Sequence, residues 1–416
     1  MKKLTIIFFT IIFVLLPYQI SFVTATSEKP NLVSEAAILI DNKTEKILYQ
    51  KNAGEKKYPA STTKIVTAIL ALEHCQLNDI VTVSYDAATS IPDGYSSASL
   101  QVGEQLTVEQ LLQLLLIHSA NDAANVLAEY VGGSIESFIS MMNTKMNELG
   151  LQNTHFTNAF GMHDDNHYTT AQDLAKIMQY CLKNENFRKL AGSSVCVLPA
   201  TNEYGPRKYT STNELIVPNN NNYYRYLTAG KTGYTSQAGD CLVSCAYKND
   251  LELICVILGG KTVNGVSTRF SETKTLYEYG YNNYGLQTLL NENDKVTEIE
   301  VQNGTKETRQ LDLLTNTPLQ ALLENTIDKN TLSAKINLPD TIKAPINQGD
   351  IIGSVSYNID GIVYEASLVA SHSVEESKIL SLILKIGLIF LILLVFYTIF
   401  FNKKRKKKKR KKSYRY

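Results

Sequence analysis

Ser61 and Lys64 stand three residues apart in Tyr58-Pro-Ala-Ser-Thr-Thr-Lys64, directly ahead of the apolar stretch Ile65 to Cys75. On a helix opening near Ala60, that spacing sets a hydroxyl and an amine one turn apart on one face. Serine is a poor nucleophile at its own pKa and needs an adjacent base. A lysine serves as that base when burial and nearby cations lower its pKa. The helix N-terminus adds free N–H groups that suit an oxyanion. Two further stretches carry matching chemistry. In His118-Ser-Ala-Asn121 a hydroxyl at Ser119 could relay a proton, and a carboxamide at Asn121 could hold a substrate amide. In Lys231-Thr-Gly233 the side chains of Lys231 and Thr232 suit an anion, and Gly233 lets a ligand approach the backbone. Each stretch alone is weak. The three in this order, the first opening a helix and the last a strand, are a strong signal.

The elements that must position these residues follow from periodicity. Ala36 to Asp41 reads as a strand, Asn42 to Glu45 as a turn and Lys46 to Gln50 as the returning strand. Helical patterns cover Ile65–Glu73, Val108–Leu116, Phe138–Leu149 and Ala171–Leu182, with a helix break inside Ile117 to Ala128. From Leu227 the period shortens. Residues 230–235, 239–246 and 251–258 read as successive antiparallel strands, and Thr268 to Tyr281 as a helix packing on them. An N-terminal hairpin, intervening helices and C-terminal strands of one sheet make an α+β domain. Beyond about Leu290, short alternating segments at 296–301, 308–314, 332–338, 351–357 and 362–370 predict a small β-sandwich.

These residues resemble the three motifs of the penicillin-binding-protein and serine β-lactamase superfamily. The motifs are Ser61-Thr-Thr-Lys64, Ser119-Ala-Asn121 and Lys231-Thr-Gly233. The chain is most similar to the low-molecular-mass serine D-alanyl-D-alanine carboxypeptidases, through Pro59-Ala-Ser-Thr-Thr-Lys64, Gly161 to Thr170 ahead of Asp173-Leu-Ala, and Gly230-Lys-Thr-Gly-Tyr-Thr235. The resemblance covers residues 33–285 as a catalytic domain. The stretch ending Gly361 to Ala370 resembles the family's C-terminal domain, here 290–372. It implies acyl transfer on peptidoglycan stem peptides, with Ser61 as nucleophile, Lys64 as its base and Ser119 as proton donor to the leaving amine. Asn121 would orient the substrate backbone, and Lys231 and Thr232 would hold the terminal carboxylate. Backbone N–H groups of Ser61 and Tyr234, beside Gly233, would form the oxyanion hole. β-Lactams would acylate Ser61. The family uses no metal or cofactor here, so His163, Asp164, Asp165 and His167 are expected in a structured loop beside the site. Arg269 either approaches the substrate carboxylate or anchors the last helix. A β-lactamase would share the motifs but needs a deacylating base, for which Glu148 is the nearest and a poor candidate. A DD-endopeptidase on the same scaffold and an inactive peptidoglycan-binding module are the remaining alternatives.

The two ends of the chain carry a different signal. Lys2-Lys3, the apolar run Leu4 to Leu16 and Val23-Thr-Ala25 form a signal-peptide pattern over residues 1–25. Residues 379–401 are apolar except for Lys385 and a few small polar groups, long enough to cross a bilayer. The basic tail 402–416, in which residues 403–412 are all Lys or Arg, belongs on the cytoplasmic side of such a span. The expected topology is a cell-membrane protein, single-pass, with its catalytic domain outside the cell. The formal charge of +1 thus hides an acidic body between two hydrophobic ends, which disfavours a nucleic-acid partner. The six cysteines form no C-x-x-C pair and read mostly as small buried hydrophobes, with a disulfide possible.

Overall fold

The computed structural model describes residues 28–412. The signal-peptide pattern lies outside them. The chain enters a hairpin of β1 (Ala36–Asp41) and β2 (Ile47–Lys51), turned where the Asp41 carboxylate accepts from the Thr44 N–H at 2.7 Å. It then runs through α1 (Lys64–His74), α2 (Val108–Gln113), α3 (Asn121–Gly132), α4 (Ile135–Glu148) and α5 (Ala171–Cys181). Three long strands return: β3 (Leu227–Thr235), β4 (Gly239–Lys248) and β5 (Leu251–Gly260). They join the hairpin in one antiparallel sheet of order β2-β1-β5-β4-β3, which leaves β3 on an edge.

The sheet is covered on both faces, and the parity of its residues records this. Ile38, Ile40, Val243, Ile254 and Val256 face the helices of the intervening segment. Ala37, Leu39, Leu242, Leu253 and Ile257 face Phe270, Leu276 and Tyr277 of α6 (Thr268–Asn283). Successive side chains point to opposite faces, so a strand sandwiched this way must be apolar at consecutive positions. That is why 253–258 reads as an unbroken hydrophobic run. Helix α1 lies deeper still, with every residue from Lys64 to Ala71 buried. A helix apolar all round is an interior helix, and this one begins with a lysine.

Five of the six cysteines are buried and Cys75 is half-buried, and all six are free thiols. Cys241 and Cys245 share the helix-facing side of β4, as their spacing predicts, whereas Cys255 of β5 points to the α6 side.

Helix α6 passes without a linker into β6 (Tyr284–Leu290). The following strands are β7 (Lys295–Glu300), β8 (Gln310–Thr315), β9 (Leu319–Glu324), β10 (Lys335–Asn337), β11 (Ile351–Ile359) and β12 (Ile362–Ala370). A five-stranded sheet of order β7-β8-β12-β11-β10 and the β6-β9 pair enclose a core of Leu311, Leu313, Leu323, Val355 and Leu368. The expected sandwich is present. Periodicity predicts neither β6 nor β9, and the β9 segment Leu-Gln-Ala-Leu-Leu-Glu at 319–324 is built from good helix formers. Lys46, nearly buried at the β1–β2 turn, donates to the Leu322 carbonyl at 3.0 Å and pairs with Asp360 at 3.0 Å, tying the two sheets' domains together. The last helix, α7, runs Lys378–Lys412, and its 20-residue section Leu382–Phe401 has a mean hydropathy of 2.7.

Candidate active site

The chain does not begin α1 at Ala60. A tight 3₁₀ turn, Ala60–Thr63, precedes it, and Ala60 sits in the left-handed region at φ +48°. The turn is closed by the Thr62 hydroxyl, which donates to the Pro59 carbonyl at 2.7 Å. Ser61 and Lys64 still meet: Lys64 Nζ lies 2.7 Å from Ser61 Oγ. The same amine donates to Asn121 Oδ1 at 2.5 Å and to the Phe160 carbonyl at 3.1 Å. Burial, and then the charge of Lys231, hold the Lys64 ammonium well below its usual range, against the opposing pull of Asp122.

Ser119 and Asn121 owe their placement to a break in the helix. Helix α2 widens into a π turn over Leu114–His118, and Ser119 then takes a left-handed conformation at φ +68° before α3 starts at Asn121. Such π turns recur at functional sites. Asp122, fully buried in the first turn of α3, accepts from Ser97 Oγ at 2.6 Å, from the Ala98 N–H at 3.1 Å and from the Leu100 N–H at 3.0 Å. The Asn121 N–H donates to the Ser96 carbonyl at 2.9 Å. Together these bonds pin the loop 96–100 against the helix that presents Asn121.

Lys231 approaches from the sheet. Its Nζ donates to Ser119 Oγ and to the Thr232 carbonyl, each at 2.9 Å. Burial and then the Arg269 guanidinium bring its pKa down to about 7. The Thr232 hydroxyl meets that of Thr212 at 2.6 Å. Gly233 packs directly against the 3₁₀ turn, where a Cβ would lie 2.9 Å from both the Pro59 carbonyl oxygen and the Ser61 nitrogen. Edge strand and serine turn are therefore in backbone contact only because residue 233 lacks a side chain. Tyr234, the next residue, is mostly exposed. Arg269 anchors this edge: Nη1 donates to the Gly233 carbonyl at 2.9 Å and lies 3.3 Å from Asp240.

Six of the residues named from the sequence meet in two hydrogen-bonded groups: Ser61, Lys64 and Asn121 in one, and Ser119, Lys231 and the Thr232 carbonyl in the other. Gly233 joins them through the backbone. The loop after Gly161 supports the turn from behind. Gly161 is at φ +89°, and a Cβ there would fall 1.9 Å from the Ala60 carbonyl oxygen. His167 Nδ1 accepts from the Thr157 N–H at 3.1 Å, which leaves Nε2–H to donate to Thr63 Oγ1 at 2.8 Å. Burial holds the His167 pKa at about 3, so the ring is neutral and structural. Among the described residues no group of three His, Cys, Asp or Glu is arranged to hold a metal ion.

Residues 23–262 match the family model for D-alanyl-D-alanine carboxypeptidase. The chain belongs to this peptidase family. Residues 284–376 match the model for the C-terminal domain of penicillin-binding protein 5. Among relatives, D-alanyl-D-alanine carboxypeptidase DacF of Bacillus subtilis is 33% identical over 345 residues, covering 81% of this chain and 85% of its own. The crystal structure of penicillin-binding protein 5 from Haemophilus influenzae superposes with a TM-score of 0.64 at 27% identity, over 84% of this chain and 99% of that one. A Streptomyces DD-transpeptidase structure matches at 30% identity with a TM-score of 0.57, over 61% of this chain and 99% of its own. The fold is therefore that of the DD-peptidases, a family of serine hydrolases, with the C-terminal β domain attached.

Within this carboxypeptidase fold, three supporting parts are not predicted by the motifs. Asp122, next to Asn121, carried a usable signal, being an acidic residue in a first helical turn. The Phe160 carbonyl and Thr212 carried none, since their roles depend on how distant loops pack.

Proposed function

We propose that this site removes the terminal D-alanine from peptides ending in D-Ala-D-Ala, the stem pentapeptides of peptidoglycan, through an acyl-enzyme on Ser61. Ser61 Oγ bonds to the carbonyl carbon of the penultimate D-alanine, and its proton passes to Lys64. The oxyanion sits between the N–H groups of Ser61 and Tyr234, an arrangement often worth several kcal/mol. The C–N bond breaks, Ser119 delivers a proton to the departing amine, and water hydrolyses the ester. Lys231 and Thr232 hold the terminal carboxylate, with Thr212 orienting the Thr232 hydroxyl, and Asn121 aligns the substrate amide.

The observation that carries this reading is the valence of Lys64. A neutral amine has two N–H bonds and one lone pair. Asn121 Oδ1 and the Phe160 carbonyl accept the two N–H bonds, which leaves the lone pair for the Ser61 hydroxyl at 2.7 Å. Desolvation favours that neutral form. Penicillin, which presents a strained amide beside a carboxylate, fits the same groups and acylates Ser61.

Glu148 speaks against a β-lactamase. It lies exposed at the end of α4, paired with Lys145 at 3.4 Å, and makes no contact with the site. Intact site chemistry speaks against an inactive binding module. The likeness to the Streptomyces DD-transpeptidase supports a second reading, in which an amine replaces water as acceptor of the acyl group. The exposed apolar section Leu382–Phe401 is about 30 Å long, the thickness of a bilayer core. We place the catalytic domain outside the cytoplasm on this anchor, with the basic tail inside.

The test uses the full-length chain in detergent with fluorescent penicillin and with diacetyl-Lys-D-Ala-D-Ala, beside Ser61→Ala. Covalent label and D-alanine release are expected, both falling by roughly 10⁴-fold or more in the variant. Release that persists in the variant would overturn the assignment of Ser61, and an amine acceptor added to the assay separates transfer from hydrolysis.

A further inference from the structure

A cavity of about 380 Å³ opens between the serine turn and the end of the edge strand, outside the catalytic groups. Its walls include Tyr58, which leads into Pro59-Ala60-Ser61, and Gln237 and Ala238, which turn β3 into β4. Lys56, Asp165 and Tyr168 close it. From this position we infer that the cavity is the subsite for the side chain of the residue just upstream of the two D-alanines, and that it takes a side chain ending in both an ammonium and a carboxylate. The inference rests on the carboxypeptidase reading above.

Direction comes first. With the substrate carboxylate at Lys231 and the scissile carbonyl at Tyr234, the peptide runs antiparallel to β3, adding a strand to an open sheet edge. Its upstream part must then travel past Thr235 toward the turn 236–238. A strand advances about 3.3 Å per residue, so one residue beyond the penultimate D-alanine brings the backbone to the rim of the cavity. Only a long side chain reaches inside.

Charge comes second. Glu35 and Lys57, also in the wall, already satisfy each other at 3.2 Å, with Lys261 on Glu35 at 2.6 Å and Glu55 on Lys57 at 3.3 Å. Lys56 and Asp165 are not matched in this way. Lys56 Nζ rests over the Tyr168 ring at 4.0 Å, with no carboxylate of the described residues in salt-bridge range. Asp165 is highly exposed, holding only the Tyr58 hydroxyl at 3.3 Å and His163 at 3.8 Å. One open cation and one open anion on the same cavity suit a zwitterionic end, its carboxylate toward Lys56 and its ammonium toward Asp165. Both groups are exposed, so each pairing carries the modest energy of a surface ion pair.

Three peptides ending in D-Ala-D-Ala decide the matter, measured as kcat/KM for D-alanine release by the full-length enzyme in detergent. Their upstream residue is Nε-acetyl-lysyl, lysyl or meso-diaminopimelyl. The expected order is meso-diaminopimelyl above lysyl above acetyl-lysyl, about three- to fivefold per matched charge. Lys56→Met should bring the meso-diaminopimelyl peptide down to the lysyl level, and Asp165→Asn should erase the advantage of lysyl over acetyl-lysyl. Equal rates for all three peptides, or preferences that survive both variants, would overturn the subsite while leaving the carboxypeptidase reading intact. No release from any peptide would overturn that reading itself.

Discussion

Two buried lysines with opposite duties face each other across the site. In the proposed mechanism Lys64 must be neutral to accept a proton, and it is so above its depressed pKa. Lys231 must be charged to hold a carboxylate, and in the free site it is so only below about 7. The expected kcat/KM profile therefore rises on its acid side with Lys64 and falls on its alkaline side with Lys231. In the bound complex the substrate carboxylate raises the Lys231 pKa, so the alkaline limb of kcat should lie at higher pH than that of kcat/KM. Coincident alkaline limbs would contradict this division. Lys64→Arg, which keeps a cation but cannot shed its proton, should lose activity by at least 10³-fold while remaining folded. Both depressed values also tie stability to pH. At Lys231 the unfolded chain binds more protons than the native one between about 7 and 10, and Lys64 acts with the same sign, so the free enzyme becomes more stable as pH rises through that window. Most of the residues that meet in this site were legible in the sequence, because Ser61, Lys64, Ser119, Asn121, Lys231 and Thr232 announce themselves by type and spacing. The reason for Gly161 was not. Its motif was visible, but only the fold brings it against the Ala60 carbonyl. Gly161→Ala should displace the serine turn, lowering kcat by roughly 10²-fold and thermal stability by several degrees, checked by steady-state kinetics and calorimetry.

At the scale of elements, the site depends on three local departures from regularity: a 3₁₀ turn before α1, a π turn after α2, and an edge strand held from outside its own sheet. Apolar periodicity located α1 and α2 correctly, yet it carries no sign of a change from α to π winding. Val108–Leu116 accordingly read as one helix, and the left-handed Ser119 emerged only in three dimensions. The edge strand is the more consequential case. β3 has one strand neighbour, and Arg269 from α6 supplies the missing restraint at the Gly233 carbonyl. Arg269 thus ties the last helix to the strand that carries Lys231 and Gly233. Arg269→Ala would free that carbonyl, strand the Asp240 charge and remove a cation that depresses Lys231. We expect kcat/KM to drop by about tenfold or more, and the alkaline limb of its pH profile to move upward. An unshifted limb would show that Arg269 acts by position alone.

For the molecule as a whole, the sequence revealed an α+β body, a β-rich appendix and an apolar helix near the C-terminus, while the Lys46 tether between the first two was invisible to it. Lysine in a turn carries no hint that its amine will meet the Leu322 carbonyl some 276 positions later. The cysteines show a consequence of the same close packing. Burial raises the thiol pKa of Cys196 to about 11 and of Cys241 to about 12, and raises Cys181, Cys245 and Cys255 as well. Thiolate is the reactive form, so the native molecule offers oxidants almost nothing beyond Cys75. A thiol reagent at pH 8 should titrate no more than one group in the folded protein and six once it is unfolded. Rapid titration of several groups before unfolding would refute the sealed core. In the location proposed for this protein, no reducing buffer protects an open chain. Its safety from oxidation is then a race: the sheet must close over its sulfur atoms before they find one another, and once closed it needs no reductant to stay intact.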